Sequence, residues 1–262
     1  MYGEGLLSLI HPTALIDPAA ELDTNVEVGP YSIIGPEVRI GRGTRIGPHV
    51  VIRGPTEIGG DNRIFQFASL GEDPQDKKYG GEETLLTIGD RNVVREYVTL
   101  HRGTVQGTGV TRIGSGNLFM AYVHVAHDCQ IGDDVIMANA SSLAGHVEVQ
   151  NWAILGGFTI VHQFCRIGAH GFSAMGSVVT KDVPPFVLVG GHPAEPRGIN
   201  LEGLRRRGYD PASIQCVKNA YRQLYTSGLK LEDALAAMRE IAAPEVELMA
   251  DFVVASERSI VR

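Results

Sequence analysis

Aliphatic side chains recur at every sixth position along most of the chain. Counting in sixes from Ile10 reaches an aliphatic residue at eleven consecutive positions, the last of which is Leu70. A period of six fits neither a helix, which repeats every ~3.6 residues, nor the two-residue alternation of an ordinary strand. It is typical of the hexapeptide repeat, in which three hexapeptides form one triangular coil of a parallel β-helix. The pattern therefore predicts an all-β solenoid with these aliphatic side chains in its core.

The six-residue frame is interrupted twice and then ends. It resumes at Ile88, breaks again, and runs from Ile113 to Val179. Two polar, glycine-rich segments leave the frame, near residues 72–87 and 101–112. Loops that leave a rigid scaffold often carry function, so both are candidate functional segments.

The last quarter of the chain has a helical pattern instead. Asp210 followed by Pro211 is typical of a helix N-cap and first turn, and Gly228 is a candidate helix end. Two further helices are predicted over residues 231–241 and 246–254. We therefore predict a β-helix over residues 1–196 and an α-helical C-terminal domain over residues 197–262.

Charge and composition exclude some classes of protein. The formal net charge of −7 argues against nucleic acid as the main partner. Residues 1–5 have no basic start, and no long apolar run follows, which predicts no signal peptide, no membrane span and a cytoplasmic location. Three cysteines do not make a disulfide scaffold, and Cys129 and Cys165 both occupy inward positions of the repeat, where a thiol behaves as a small apolar residue.

Histidines crowd the middle of the predicted β-helix at positions that do not face the core: His101, His124, His127, His146 and His162. Residues 18 apart lie one coil apart, separated by about one strand spacing of ~4.8 Å. This arithmetic places Gly145 and then Gln163 above His127, and His146 above Asp128. The spacing alone therefore predicts one polar patch on one side of the coil.

The patch has the groups that acyl transfer requires. A histidine beside a carboxylate, here His127 beside Asp128, suits a general base near neutral pH. Gly145 has no side chain to block approach, so its N–H suits an oxyanion. Two alternatives stay open: histidines buried in a subunit interface, and a zinc site like that of the β-helical carbonic anhydrases, which metal analysis would distinguish. Because the neighbours suit hydrogen bonds to a substrate, we expect no metal and no cofactor.

Five segments of the chain resemble one enzyme family: HRGTVQG at 101–107, HVAHDC at 124–129, LAGHV at 143–147, VHQFC at 161–165 and NLEGLRRRG at 200–208. Together they are similar to the acyl-ACP–UDP-N-acetylglucosamine O-acyltransferases, and the resemblance covers residues 10–262. It implies a left-handed coil and a homotrimer with active sites between subunits. It implies transfer of an R-3-hydroxyacyl group from acyl carrier protein to the 3-hydroxyl of UDP-N-acetylglucosamine, the first step of lipid A biosynthesis.

The resemblance also implies roles for individual residues. His127 matches the family's base, Asp128 its polariser and Gly145 the oxyanion donor. The positions that match substrate contacts are Gln75, Asp76, Lys78, His124, His146, His162, Gln163, Asn200, Glu202 and Arg206.

Met175 matches the position that limits the length of the acyl chain. A glycine there leaves room for a long chain, whereas a bulky methionine shortens the groove, so we expect a 3-hydroxydecanoyl donor. Two other functions remain open on the residues alone. One is a sugar-nucleotide acyltransferase acting on an amine, and the other is a β-helical binding or scaffold protein.

Overall fold

The computed structural model describes residues 9–262, which form a parallel β-helix of three sheets followed by four helices. The first sheet contains β1 (Leu15–Ile16), β4 (Ile33–Ile34), β7 (Val51–Ile52), β10 (Ser69–Glu72), β13 (Thr99–His101), β16 (His124–Val125), β19 (Ser142–Leu143), β22 (Ile160–Val161) and β25 (Val178–Val179). The second sheet contains β2 (Glu21–Leu22), β5 (Val38–Ile40), β8 (Thr56–Ile58), β11 (Leu85–Ile88), β14 (Val110–Ile113), β17 (Gln130–Ile131), β20 (Glu148–Val149) and β23 (Arg166–Ile167). The third sheet contains β3 (Glu27–Val28), β6 (Arg45–Ile46), β9 (Arg63–Ile64), β12 (Val93–Val94), β15 (Leu118–Phe119), β18 (Ile136–Met137), β21 (Ile154–Leu155), β24 (Phe172–Ser173), β26 (Val187–Gly190) and β27 (Glu195–Ile199).

The six-residue period sets both the pairing and the core. Each strand pairs in parallel with the strand one coil away, as in the register Ile16 with Ile34 and Ile34 with Ile52. The repeating aliphatic residues stack inside the coil and are almost completely buried from Val28 onward. Ile10 lies at the first end of the described coil and is 38% exposed, because no coil within residues 9–262 covers it on that side. Cys129 is buried in the same core, as its position in the repeat predicts, and burial raises the pKa of its thiol to about 12.

Each coil turns three corners, which we number by the sheets they join. The first corner leads from the first sheet to the second, the second corner from the second to the third, and the third corner from the third back to the first. Many core residues of the six-residue repeat are followed by a glycine, such as Gly29 after Val28. At that corner, however, the residue with left-handed backbone conformation is Tyr31, whose φ is 60°. Most corners likewise have a non-glycine residue at positive φ, so the tight turn lies two positions beyond the glycine.

Four helices pack against the end of the coil: α1 (Leu201–Arg206), α2 (Pro211–Tyr225), α3 (Leu231–Arg239) and α4 (Pro244–Val254). Asp210 is the N-cap of α2, and its Oδ1 accepts hydrogen bonds from the N–H groups of Ala212 and Ser213. The helix ends at Tyr225, three residues before Gly228. Before the helices, β26 and β27 form an antiparallel pair, so the predicted division after residue 196 falls inside β27.

Among residues 9–262, no helix is long and apolar enough to cross a membrane. The prediction about a signal peptide depends on residues 1–5, which lie outside the described residues.

Candidate active site

Two loops leave the β-helix at the first corner, on adjacent coils. The strand register pairs Leu70 with Leu100 and Leu100 with Val125, so these coils contain 30 and 25 residues instead of 18. The excursions are residues 73–84, the first loop, and residues 102–109, the second loop. They are slightly shorter than the sequence predicts, because their ends extend the flanking strands. Both loops therefore border the same stretch of the first corner, where the histidines lie.

His127 lies at the first corner, two residues after the end of β16. Its Nδ1 is 2.9 Å from Oδ2 of Asp128, and its Nε2 has no hydrogen-bond partner within residues 9–262. One coil further on, Gly145 lies against the imidazole: a Cβ there would be 2.5 Å from Cε1 and 2.7 Å from Nε2 of His127. Only glycine permits this approach. The N–H of Gly145 also has no acceptor in the described residues, so it is free to bind an oxyanion next to the base.

The Asp128 side chain is fully buried and ionised. Burial alone would raise its pKa, but hydrogen bonds from Thr104 and His127 outweigh burial and hold the pKa below its usual value. Because Oδ2 of this carboxylate accepts a hydrogen bond from Nδ1–H of His127, the neutral ring has its lone pair on Nε2. The pair is therefore arranged as a base that faces the corner.

Two more histidines lie close to this pair and are held neutral. The rings of His146 and His127 meet edge to face at 5.0 Å, and His146 stacks on Phe164 at 4.4 Å. Burial lowers the pKa of His146, and burial beside His101 and His127 lowers the pKa of His124 to about 4. Neutral imidazoles can donate and accept hydrogen bonds, which suits contacts with sugar hydroxyls.

The other predicted substrate contacts at this corner lie in the first loop and on the next coil. Asp76 accepts a hydrogen bond from the N–H of Lys78 at 2.9 Å, and its charge acts on His146. Gln75 and Lys78 are exposed, as are His162 and Gln163. The structure therefore brings the predicted residues of the first loop and the three coils into one region.

Four predicted residues lie elsewhere in the chain. Asn200 is the N-cap of α1, where Oδ1 accepts from the N–H of Gly203 and Nδ2 donates to the carbonyl of His170 at the second corner. Glu202 forms an ion pair with Arg205, and Arg206 is exposed. Met175 lies at the third corner, and 78% of it is exposed. Within one chain, the second and third corners do not meet the first.

The positions of the possible metal-ligand atoms in this site bear on the alternative that it binds zinc. Donor atoms of His127, Asp128 and His146 lie within 4.8 Å of one another. However, both carboxylate oxygens of Asp128 accept hydrogen bonds from N–H or O–H groups, and Nδ1 of His127 is hydrogen-bonded to it. A carboxylate whose two oxygens both accept hydrogen bonds from the protein suits a hydrogen-bonded network better than a cation.

The sequence does not indicate two further contributors, Arg102 and Thr104. Arg102 is buried beneath the first loop, where its guanidinium donates to the carbonyls of Gly54 and Gly71, to the hydroxyl of Tyr79 and to Asp73. Arg102 and Thr104 both lie in the HRGTVQG segment, which is one of the five segments that resemble the family. The repeat could not assign them a role, because they lie where the six-residue frame is broken.

Two family models match the chain. The model described as UDP N-acetylglucosamine O-acyltransferase, domain 2, matches residues 182–261. The bacterial transferase hexapeptide model matches residues 20–54 and 111–145.

Curated relatives and solved structures match almost the full length. The acyl-[acyl-carrier-protein]–UDP-N-acetylglucosamine O-acyltransferase of Janthinobacterium sp. (strain Marseille) is 56% identical, covering 98% of this chain and 100% of the relative. The enzyme of that name from Pseudomonas syringae pv. syringae (strain B728a) is 57% identical with the same coverage.

Among solved structures, LpxA from Acinetobacter baumannii has a TM-score of 0.95 at 48% identity, covering 97% of this chain and all of that one. The UDP-N-acetylglucosamine O-acyltransferase of Moraxella catarrhalis has a TM-score of 0.95 at 44% identity over the same shares. The left-handed parallel β-helix with a helical C-terminal region is therefore the fold of this chain, as predicted, and a binding or scaffold protein is not supported. With close relatives over its full length and a histidine–aspartate pair beside a free glycine N–H, the chain belongs to the acyl-ACP–UDP-N-acetylglucosamine O-acyltransferase family and is an acyltransferase.

Proposed function

We propose that the protein transfers an R-3-hydroxyacyl group from acyl carrier protein to the 3-hydroxyl of UDP-N-acetylglucosamine, the first step of lipid A biosynthesis. The relatives that match at 56–57% identity have names that give both substrates. The observation that carries the mechanism is the His127–Asp128 pair with Gly145 against the imidazole.

The reaction follows from the positions of these three groups. Nε2 of His127 removes the proton of the sugar hydroxyl as its oxygen attacks the thioester carbon, and Asp128 stabilises the imidazolium through Nδ1. The N–H of Gly145 donates to the oxyanion of the tetrahedral intermediate. The C–S bond then breaks, the ester carbonyl re-forms, and the leaving thiolate takes the proton from His127. A thioester is already an activated acyl donor, so the residues account for the whole step.

The proposed homotrimer is supported by the chemistry of the three outer faces. The second sheet presents charged residues that pair along the coil, as Arg39 does with Glu21 and Glu57. In contrast, the third sheet presents apolar outward side chains from β12 to β26: Val93, Leu118, Ile136, Ile154, Phe172 and Leu188. The first sheet presents exposed Leu15 and Ile160, and the equivalent outward positions of its middle strands have the uncharged polar residues Ser69, Thr99, His124 and Ser142. One apolar face and one face without outward charges along most of its strands meet at the third corner, and together with one charged face they suit three copies around an axis beside that corner.

A stack of exposed aromatic rings supports the same packing. Tyr31, His49, Phe67, Tyr97 and Tyr122 follow the third corner, with successive ring centroids 4.9–5.4 Å apart. Packing the first sheet of one copy on the third sheet of the next would bury this stack near the axis.

The same packing assembles the dispersed residues. The first corner of one copy, with His127, would face the second corner of the next, with Asn200. Met175 at the third corner would lie at the inner end of the cleft, where it could limit an acyl chain that extends inward from His127. We therefore propose that each site is formed by two subunits and accepts a 3-hydroxydecanoyl chain.

One assay tests the reaction and the chain length together. The purified protein is given UDP-N-acetylglucosamine and a mixture of 3-hydroxyacyl carrier proteins of graded length, and products are identified by mass spectrometry. We expect one ester with a chain of about ten carbons, because methionine is bulky at the inner end of the groove. An amide product would indicate an amine acceptor. The absence of any product, together with zinc in the purified protein, would favour a zinc site like that of the β-helical carbonic anhydrases.

The variant Met175→Gly, assayed with the same mixture of donors, tests directly whether Met175 limits the length of the acyl chain. Removing the side chain should shift the preferred donor to longer chains, with Met120→Ala, at the same corner three coils earlier, as the control. An unchanged preference in Met175→Gly would show that another residue limits the chain.

A further inference from the structure

The buried carboxylate of Asp128 has an unusual set of partners. Its side chain is 0% exposed, and no Arg or Lys pairs with it in the described part of the chain. An ionised carboxylate taken out of water without a cation must be stabilised by hydrogen-bond donors. Its histidine neighbours supply one such bond, from Nδ1 of His127.

The second loop supplies the rest. The N–H of Thr104 lies 3.1 Å from both oxygens of Asp128, and the Thr104 hydroxyl donates to Oδ2 at 2.7 Å. The N–H of Thr108 donates to Oδ1 at 3.1 Å. Three donors from one short loop therefore converge on the carboxylate, and two of them are backbone groups with fixed directions.

The loop is folded tightly around these contacts. Its turn is closed by hydrogen bonds from the N–H groups of Gly107 and Gly109 to the carbonyl of Thr104, each 3.0 Å long. Thr104 is 1% exposed. A Cβ at Gly107 would lie 2.4–2.7 Å from the Asp128 carboxylate, so only glycine lets the loop approach this closely. Backbone N–H groups that converge in a turn are a common way to bind an anion.

We infer that the second loop is a carboxylate-binding loop that orients Asp128 toward His127, with Thr104 as its main positioning residue. This inference rests on the proposed function, because it assigns to the loop the task of keeping the base in its active form. Thr104 shares Oδ2 with His127, so its hydroxyl fixes the direction in which that oxygen accepts the Nδ1–H bond. Neither Thr104 nor the loop needs to touch the substrate for this role.

Other titratable groups also face the pair. Nδ1 of His146 is 3.9 Å from Oδ2 of Asp128, and Asp76 acts on His146 from the first loop. The charge of His127 in turn lowers the pKa of His101 and of His124. None of them changes in the variants below, so a change in the pH profile reports on the loop.

The test compares Thr104→Val with Thr104→Ser. Valine keeps the volume and the backbone N–H but removes the hydroxyl, whereas serine keeps the hydroxyl. We expect Thr104→Val to lower kcat about tenfold or more, because a hydrogen bond to a charged group is lost, with KM for both substrates nearly unchanged. The acidic limb of the kcat profile should move to higher pH by about half a unit to one unit, since a carboxylate with fewer donors binds a proton more tightly. Thr104→Ser should stay within about twofold of wild type in kcat.

Two further variants separate this role from a general effect on folding. Gly107→Ala should move the acidic limb in the same direction by pushing the loop off the carboxylate. Gln106→Ala, at an exposed position of the same loop, should leave kcat and the pH profile unchanged. A loss of kcat in Thr104→Val without movement of the acidic limb would overturn the inference, as would wild-type kinetics in that variant.

A measurement without substrate keeps the inference separate from the proposed reaction. The titration midpoint of the His127–Asp128 pair can be followed by NMR of ring-labelled histidine, with His127→Gln used to assign the signal. The midpoint should rise in Thr104→Val and stay in place in Gln106→Ala. If the wild-type enzyme fails to acylate UDP-N-acetylglucosamine, the proposed function fails while this titration still tests the loop, and an unmoved midpoint overturns it.

Discussion

At the scale of the residue, the His127 ring is enclosed by groups that leave one nitrogen available. Asp128 holds Nδ1, Gly145 lies against Cε1 and Nε2, and the ring of His146 contacts it edge to face. In the described structure no other side chain occupies the position of Nε2 of His127. A neighbouring residue could therefore take over as the base only if the coil moved.

Replacing His127 by alanine should therefore remove the base while the fold remains. The ring lies at a corner outside the core, so circular dichroism and the thermal midpoint should stay close to those of wild type. We expect kcat to fall by about 10²–10⁴, the usual contribution of general-base catalysis. His11→Ala, at an exposed position near the start of the coil, is the control. Near-normal turnover in His127→Ala would exclude this residue as the base.

His170 gives a pH dependence of stability. It is buried at the second corner, stacked on Phe186, and burial lowers its pKa to about 4, with Arg207 adding to the effect. In the unfolded chain a histidine has a pKa near 6.5, so between about pH 6.5 and 4 the unfolded state binds more protons. The contribution of neutral, buried His170 to the free energy of unfolding is therefore fully present above about pH 6.5 and is lost as the pH falls from 6.5 to 4.

The measurement is the thermal midpoint as a function of pH. The midpoint of wild type should fall from pH 6.5 to 4, and His170→Phe, which keeps an aromatic ring in the stack, should show a shallower fall. His11→Phe, at an exposed position near the start of the coil, is the control. Equal slopes in wild type and His170→Phe would contradict the assignment to His170.

At the scale of the element, the two loops divide the work of the site. The second loop contacts Asp128, and the first loop carries Gln75, Asp76 and Lys78 above the histidines. Arg102, at the start of the second loop, donates hydrogen bonds to the carbonyl of Gly71, which lies in β10 just before the first loop, and to the hydroxyl of Tyr79 in the middle of that loop. Its guanidinium thus joins the two loops.

Arg102→Met should loosen the first loop, because it removes these hydrogen bonds and leaves buried carbonyls without donors. We expect KM for UDP-N-acetylglucosamine to rise about tenfold with a smaller change in kcat, and trypsin to cleave faster at Lys77 and Lys78. Arg53→Met is the control, since Arg53 forms only an exposed pair with Glu72 at 3.5 Å, which contributes little. If cleavage and KM in Arg102→Met match wild type, Arg102 does not hold the loop.

The predictions from sequence succeeded where the coil has its regular length. Adding 18 to His127 gives Gly145 and adding 18 to Asp128 gives His146, and the structure stacks both pairs. The same arithmetic cannot cross the lengthened coils, so it missed the hydrogen bond of 2.7 Å between Thr99 and His124, 25 residues apart. It also could not give the interior of the loops, because their hydrogen bonds depend on irregular turns rather than on a period.

At the scale of the whole molecule, the chemistry of the faces gives a test of assembly. Ile136→Glu places a carboxylate on the apolar face of the third sheet, where burial of an unpaired charge is unfavourable. Light scattering should show a mass of three 28.2-kDa chains for wild type and a smaller mass for this variant, with activity lost and circular dichroism retained. Thr87→Glu, on the charged second sheet, should remain assembled and active. A single-chain mass for wild type would contradict the shared site.

The lengthened coils have a consequence for how the chain finds its own register. In a stack of nearly equivalent coils, shifting one part by a full coil returns aliphatic side chains to the same columns, so the core alone barely distinguishes the native alignment from a displaced one. The 30-residue and 25-residue coils break this translational symmetry, because a displaced strand would have to pair across an interruption that it does not match. The two loops that border the active site therefore also help to fix the register of the coils along the axis. Shortening either loop would weaken this control of register as well as disturb the site.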